Sequence, residues 1–262
     1  MDIFSASILL GLVAGLLAGL FGIGGGLVIV PVLVFLFPAH GFPAGPVMLM
    51  AVATSLATII LTAIASVWAH HRLGSVVWAK VFRLGPGIMA GAALGAVAAK
   101  HISADVLRYI LVVFLLYVAI LMAFQVSPKA GEAKQSRILD YGVAGMIGVL
   151  SSIVGIGGGT LTVPYLVQGG MPIRNAVAVA SACGLPIAIA GTLSYALLGW
   201  NVPDLPGGSV GYVYLPAFSG ISLGSIFTAP IGAKLAHRLP ARKLKRYFSL
   251  LLVVMAAKLM WH

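Results

Sequence analysis

The stretch LFGIGGGLVIVP at residues 20–31 returns as IVGIGGGTLTVP at residues 153–164, a fixed 133 residues later. From Phe21 and Val154 onward, the two strings agree at seven of eleven positions. Upstream, Gly11, Gly15 and Gly19 fall at the same offset from Ala144, Gly148 and Ser152. Both triplets are small residues four apart, the spacing that lets helix backbones approach closely in lipid. Downstream the match drifts but persists: AVATS (51–55) against AVASA (178–182), Pro86 against Pro216, Arg108-Tyr109 against Arg246-Tyr247. The chain therefore reads as two halves, 1–126 and 138–262, joined by the polar linker SPKAGEAKQSR at 127–137. An internal repeat of this kind is a signature of secondary transporters.

What surrounds the strings fixes the class. Hydrophobic residues make up 61% of the chain and charged residues 8%, with a mean hydropathy of +1.11. An ordinary soluble domain is roughly a quarter charged, so this stock cannot clothe a water-facing surface. Apolar stretches recur at 3–37, 47–69, 84–100, 107–126, 139–169, 176–199, 210–236 and 247–261, many near the ~20 residues of a bilayer span. This is an all-α polytopic membrane protein, with no length left for a separate soluble domain. The N-terminal MDIFSASILL has no Lys or Arg ahead of its apolar run and reads as a first span, not a cleaved signal. A net charge of +11 and a pI near 10.1 suggest nucleic acid, but the basic residues lie in short loops between spans. That is the pattern of membrane topology, and no nucleic-acid partner is expected.

Counting each stretch as one span divides Lys and Arg seven to nine, which is no bias. Yet residues 3–37 as one helix would be about 52 Å long at 1.5 Å per residue, against a hydrocarbon core of about 30 Å. The chain must turn at Gly22–Gly26 and, by repeat, at Gly155–Gly159. With a reversal at each string, every half holds about five helical segments, and the basic residues divide 13 to 3. Only Lys100, Arg108 and Lys258 fall on the poor side. The positive-inside rule selects this arrangement. Five is odd, so the halves are inverted, the linker is cytoplasmic and both termini lie outside the cytoplasm. The segments after the strings, 27–37 and 160–169, are half-helices of a glycine-broken hairpin. The whole fits a multi-pass protein of a prokaryotic inner membrane, surrounded by lipid and compatible with a homo-oligomer.

The strings are not nucleotide loops. A dinucleotide fingerprint needs glycine at the sixth position and a later acid; here that position is Leu27 or Thr160, and G-K-[S/T] is also missing. Glycines at a half-helix start can instead expose several backbone N–H groups beside the positive end of a helix dipole, a cradle for an anion. Broken backbone at membrane depth is tolerated where protein or a watery cavity covers it. Gly24, Gly25 and Gly26, with Gly157, Gly158 and Gly159, are thus candidate substrate-binding residues. Neutral polar residues join them: Thr54, Ser55, Ser181 (which matches Thr54) and Gln168. Asn175 reads as a helix cap, and Thr58 follows Thr54 on one helical face.

Other chemistry finds little support. Cys183 is the only cysteine, which excludes an internal disulfide or a CxxC pair. The six histidines (His40, His70, His71, His101, His237, His262) fall in loops or at the end, so no metal and no cofactor is expected. Lys258 sits near the end of a span, where it can snorkel. Asp140 stands at the edge of a segment, where it caps or faces a vestibule; if no proton relay runs through it, its change to Asn is expected to alter transport less than changes at the glycines. GISLG at 220–224 spells the G-x-S-x-G of a serine hydrolase, but no histidine base shares a span with Ser222 and small residues for packing explain it better. No catalytic residue is assigned, and the remote alternative is an intramembrane serine hydrolase.

The doubled G-x-G-G-G-x-x-x-x-P strings, the paired AVATS and AVASA segments and the bipartite apolar chain resemble the TauE/SafE sulfite exporter family over essentially all 262 residues. The resemblance implies secondary transport, commonly export, of sulfite, an organosulfonate or a related small anion, through a passage between the repeats by alternating access. The alternative is an anion channel or a non-transporting sensor. One departure is Ser181-Ala182 in place of Thr54-Ser55, so the two sides of the passage are not equivalent.

Overall fold

The computed structural model describes residues 2–21, 25–124, 136–236 and 241–261, and 82% of it is helix. Gly24, residues 127–135 of the linker, His237 and His262 lie outside the described residues. In the first half, the chain forms α1 (Ile3–Phe21), α2 (Gly26–Ala39), α3 (Val47–Arg72), α4 (Trp78–His101) and α5 (Ala104–Ala123). The second half gives α6 (Arg137–Val154), α7 (Gly159–Gln168) and α8 (Ile173–Leu198). A short hairpin, β1 (Ser209–Val210) and β2 (Val213–Tyr214), then precedes α9 (Leu215–Ala236) and α10 (Ala241–Trp261).

Among the described residues, seven helices are long and apolar enough to cross a membrane: α1, α3, α4, α5, α6, α8 and α9. The two that follow the glycine strings are short, 14 residues in α2 and 10 in α7. At 1.5 Å per residue they reach about 21 and 15 Å. Each opens on a left-handed glycine, Gly25 (φ 74°) and Gly158 (φ 71°), a conformation that a Cβ penalises. Each carries a proline at its sixth position, Pro31 and Pro164, so the carbonyls of Leu27 and Thr160 lose their helical donor. The helix starts agree with the sequence reading to within one residue. α2 runs two residues further than expected, through Pro38.

Small residues set the closest packing. Gly220, Gly224 and Gly232 of α9 lie against the backbone of α1 at Phe4–Ser7, Ile8–Gly11 and Leu16–Leu20, so the two helices run parallel. α4 and α6 also run parallel: Gly87 meets Tyr141 and Ala144, Gly95 meets Val149, and Gly148 fits against Ile88. The pair at the centre, α3 and α8, is antiparallel. Gly191 near the end of α8 touches Leu56 in the first half of α3, while Arg174 and Asn175 at its start bond Ser75 just beyond the end of α3. The C-terminal half of α5 faces the N-terminal half of α10 in the same antiparallel sense.

Two expectations change. The apolar stretch at 210–236 was read as one helical segment, but its first residues form the hairpin because Gly211 takes a positive φ of 55°. Tyr214 of that hairpin packs edge-on against Phe37 and Phe42, which stack 4.8 Å apart. Asn175 does not cap α8, whose first flanking residue is Pro172; its side-chain amide instead donates to the Ser75 carbonyl at 3.1 Å.

Candidate functional site

The two strings meet. A Cβ built on Gly26 would lie 2.6 Å from the Gly155 carbonyl oxygen and 3.2 Å from the Ile156 Cα, so the backbones touch directly. Gly155, left-handed at φ 77°, ends α6 beneath Val30 of α2 and Val52 of α3. Ser55 on α3 donates its hydroxyl to the Gly155 carbonyl at 2.8 Å, a bond buried across 100 residues of sequence. Gly184 of α8 comes against the Gly157 carbonyl oxygen, and Ile59 of α3 reaches both Gly26 and Gly157. The contact is therefore sealed on two sides by the middles of α3 and α8.

Backbone amides at the starts of α2 and α7 lack an acceptor within their own helices. The first bonds of α2 run from Val28 and Ile29 to the Gly25 carbonyl, and those of α7 from Leu161 and Thr162 to the Gly158 carbonyl. The N–H groups of Gly26, Leu27, Gly159 and Thr160 precede those bonds and have no intrahelical acceptor. Neither Gly25 nor Gly158 offers a side chain to cap them. Hydroxyls crowd the second string: Ser151, Ser152, Thr160 and Thr162 each bury an oxygen that has no protein partner. Ser7, Thr192, Ser209 and Ser222 share this state elsewhere; what sets the string apart is four such hydroxyls within twelve residues.

Of the sequence-derived residues, Gly26, Gly157 and Ser55 come together here, whereas Gly25 packs on Ala14 and Ala18 of α1, and Gly158 lies against Ile187 of α8 and Ser151 of α6. Thr54 points the other way along the chain of contacts and accepts from the Tyr214 N–H at 3.1 Å, which ties the hairpin to α3. Thr58 donates to the Ser55 carbonyl at 2.7 Å, within its own helix. Ser181 is half-buried one turn before Gly184, and Gln168 is exposed at the far end of α7. Gly220 and Gly224 of the G-x-S-x-G string serve the α1–α9 contact, and Ser222 lies mid-helix between them.

At that far end lies a cluster that sequence reading did not anticipate. Asp140, in the first turn of α6, is 0% exposed. Its carboxylate takes an ion pair from Lys80 at 3.0 Å, another from Arg83 at 2.5 Å, and a hydrogen bond from the Tyr165 hydroxyl at 2.5 Å. α4, α6 and α7 are thereby tied at one point. Lys80 also lines a cavity of about 340 Å³ with Val77, Leu166, Gly169, Gly170 and Asn175. The available signal was Lys80 and Arg83 three apart on one face of α4, near the only acid at a span edge on that side.

The family model for the sulfite exporter TauE/SafE matches residues 7–259. A protein of Haemophilus influenzae named probable membrane transporter protein is 40% identical, with 95% of each chain aligned. One of the same description from Methanocaldococcus jannaschii is 28% identical over 95% of this chain and 92% of its own. The probable membrane transporter protein YdhB of Bacillus subtilis is 26% identical over 88% and 89%. No solved structure shows a significant match.

Proposed function

This chain belongs to the TauE/SafE sulfite exporter family and is a membrane transporter, and we propose that it carries a small sulfur oxyanion, sulfite or an organosulfonate, outward by alternating access between two inverted five-helix repeats. The observation that carries the reading is the meeting of two broken helices at Gly26 and Gly155, each with backbone N–H groups ahead of its first intrahelical bond. Such helix starts attract an anion without a charged side chain, and broken helices paired at a repeat interface are how many carriers build their sites.

Several packing facts support the inversion. Under the duplication α3 corresponds to α8 and α5 to α10, and both pairs run antiparallel. Exchanging the halves turns the parallel α1–α9 pair into the α6–α4 pair. A two-fold axis in the membrane plane accounts for all four relations, whereas an axis along the membrane normal would make equivalent helices run alike. Together with the 13-to-3 division of basic residues, this supports a reading with the Asp140 cluster at the cytoplasmic end and both termini outside. A C-terminal reporter enzyme that works only outside the cytoplasm should be active; a terminus found in the cytoplasm overturns the inverted reading.

Substrate class is tested by a thermal-shift screen of small anions on the purified chain. Sulfite and organosulfonates should raise the melting temperature in a saturable way, by mass action on the folded state. Chloride and neutral sugars should not. A screen in which sulfur oxyanions have no effect counts against the proposed substrate.

A further inference from the structure

We propose that the anion site is one-sided: the second glycine string and the hydroxyls of Ser151, Thr160 and Thr162 build it, and it takes a singly charged oxyanion. The inference rests on the reading of the chain as an anion carrier and specifies where and what it binds.

The asymmetry is written in both sequence and structure. At the offset of 133, Ser151, Ser152, Thr160 and Thr162 correspond to Ala18, Gly19, Leu27 and Ile29, none of which offers a side-chain polar atom. Leu27 and Ile29 are buried in the apolar core. The first string therefore brings its amides and its contact with Gly155, but no side-chain donor. On the second string Ser151, Ser152 and Thr162 are each 0% exposed, and none of the four hydroxyls has a protein partner. The Ser151 Oγ lies 3.2 Å from where a Cβ on Gly158 would sit, so it is aimed at the start of α7, whereas the Ser152 Oγ lies against Gly191 of α8. There the N–H groups of Gly159 and Thr160 have no intrahelical acceptor. The Ser151 hydroxyl and these amides are donors around one helix start, the complement of an oxyanion, whose oxygens accept and do not donate.

Charge sets the class. These donors are all neutral. The nearest ionic group along α7 is the Asp140 cluster, reached through Tyr165, six residues or about 9 Å beyond Gly159. The Born cost of burying an ion grows with the square of its charge, so a dianion meets about four times the cost of a monoanion in the same surroundings. A neutral cradle in a buried position thus favours a sulfonate or hydrogensulfite over sulfate or the sulfite dianion.

The test measures binding to the purified full chain by calorimetry. The probes are methanesulfonate (one charge at every pH), sulfate (two charges) and sulfite on either side of its second ionisation. Methanesulfonate should bind at least tenfold more tightly than sulfate, and apparent sulfite affinity should fall as pH rises through that ionisation. Ser151→Ala and Thr162→Val should each weaken methanesulfonate by about threefold to tenfold, the worth of one hydrogen bond. Their anion-free melting temperatures should be unchanged or raised, because each change removes a buried hydroxyl that had no protein partner; loss of a structural bond would lower them. Ser7→Ala, which removes a buried unpartnered hydroxyl on α1 away from the strings, should leave affinity unchanged. Sulfate binding as tightly as methanesulfonate, or unaltered affinity in both hydroxyl variants, overturns the inference. If wild-type protein still moves sulfite in that case, only the one-sided site falls. If it neither binds nor moves any sulfur oxyanion, the carrier reading falls too.

Discussion

Gly158→Leu is expected to reach the membrane in normal amount and to carry no anion. Gly158 holds φ at 71°, where an L-residue costs about 1–2 kcal/mol. A side chain there would also run into the Ile187 methyl and crowd the Ser151 hydroxyl 3.2 Å away. Both effects displace the first turn of α7, whose amides and hydroxyls belong to the proposed cradle. Damage is confined to one helix start, so the eight longer helices keep their packing. Gly25→Leu is expected to be milder. Its φ of 74° is equally strained, but a Cβ would meet only ordinary contacts at 3.5 Å. The order Gly158 before Gly25 follows from these contacts. Should Gly158→Leu fail to accumulate, Gly158→Ala keeps most of the backbone strain with less bulk and should still lower flux. Equal and normal flux in both variants would show that the glycines only pack.

Asp140→Asn should lower stability by about 3–5 kcal/mol, the usual cost of removing one partner from a buried ion pair. The change leaves Lys80 and Arg83, 15% and 30% exposed, beside an amide that cannot balance them. It also weakens the bond from Tyr165 that fixes α7. Melting of the purified protein should fall by several degrees, and Lys80→Met added to Asp140→Asn should recover part of the loss. Tyr165→Phe alone should cost less, because both ion pairs stay. An unchanged melting temperature for Asp140→Asn contradicts the geometry of this cluster.

The contrast between these two residues shows what the chain reveals on inspection. Gly158 was legible because its constraint is local: a left-handed turn and a helix start leave glycine and a following proline in the sequence, and the duplication repeats them at Gly25 and Pro31. Asp140 was not legible as a buried residue, because its partners Lys80 and Tyr165 lie 60 and 25 residues away and only folding brings them close. Thr54 and Ser55 looked alike in sequence, yet the structure assigns one to Tyr214 and the other to Gly155, 160 and 100 residues distant. The hydroxyls of Thr160 and Thr162 stood in plain view opposite Leu27 and Ile29. Their weight came only from burial and missing partners, which no one-dimensional pattern contains.

The central claim, that this chain alone carries a sulfur oxyanion at the meeting of its two glycine strings, is tested most directly by counterflow in liposomes. Purified wild-type protein and Gly158→Leu are reconstituted at equal density, loaded with unlabelled sulfite and given labelled sulfite outside, with no ATP. Wild-type vesicles should accumulate label transiently and saturably, faster with sulfite inside than without, as a carrier and not a channel does; Gly158→Leu vesicles should match empty liposomes. Label entry that ignores internal sulfite, or equal counterflow in the two proteins, contradicts the account.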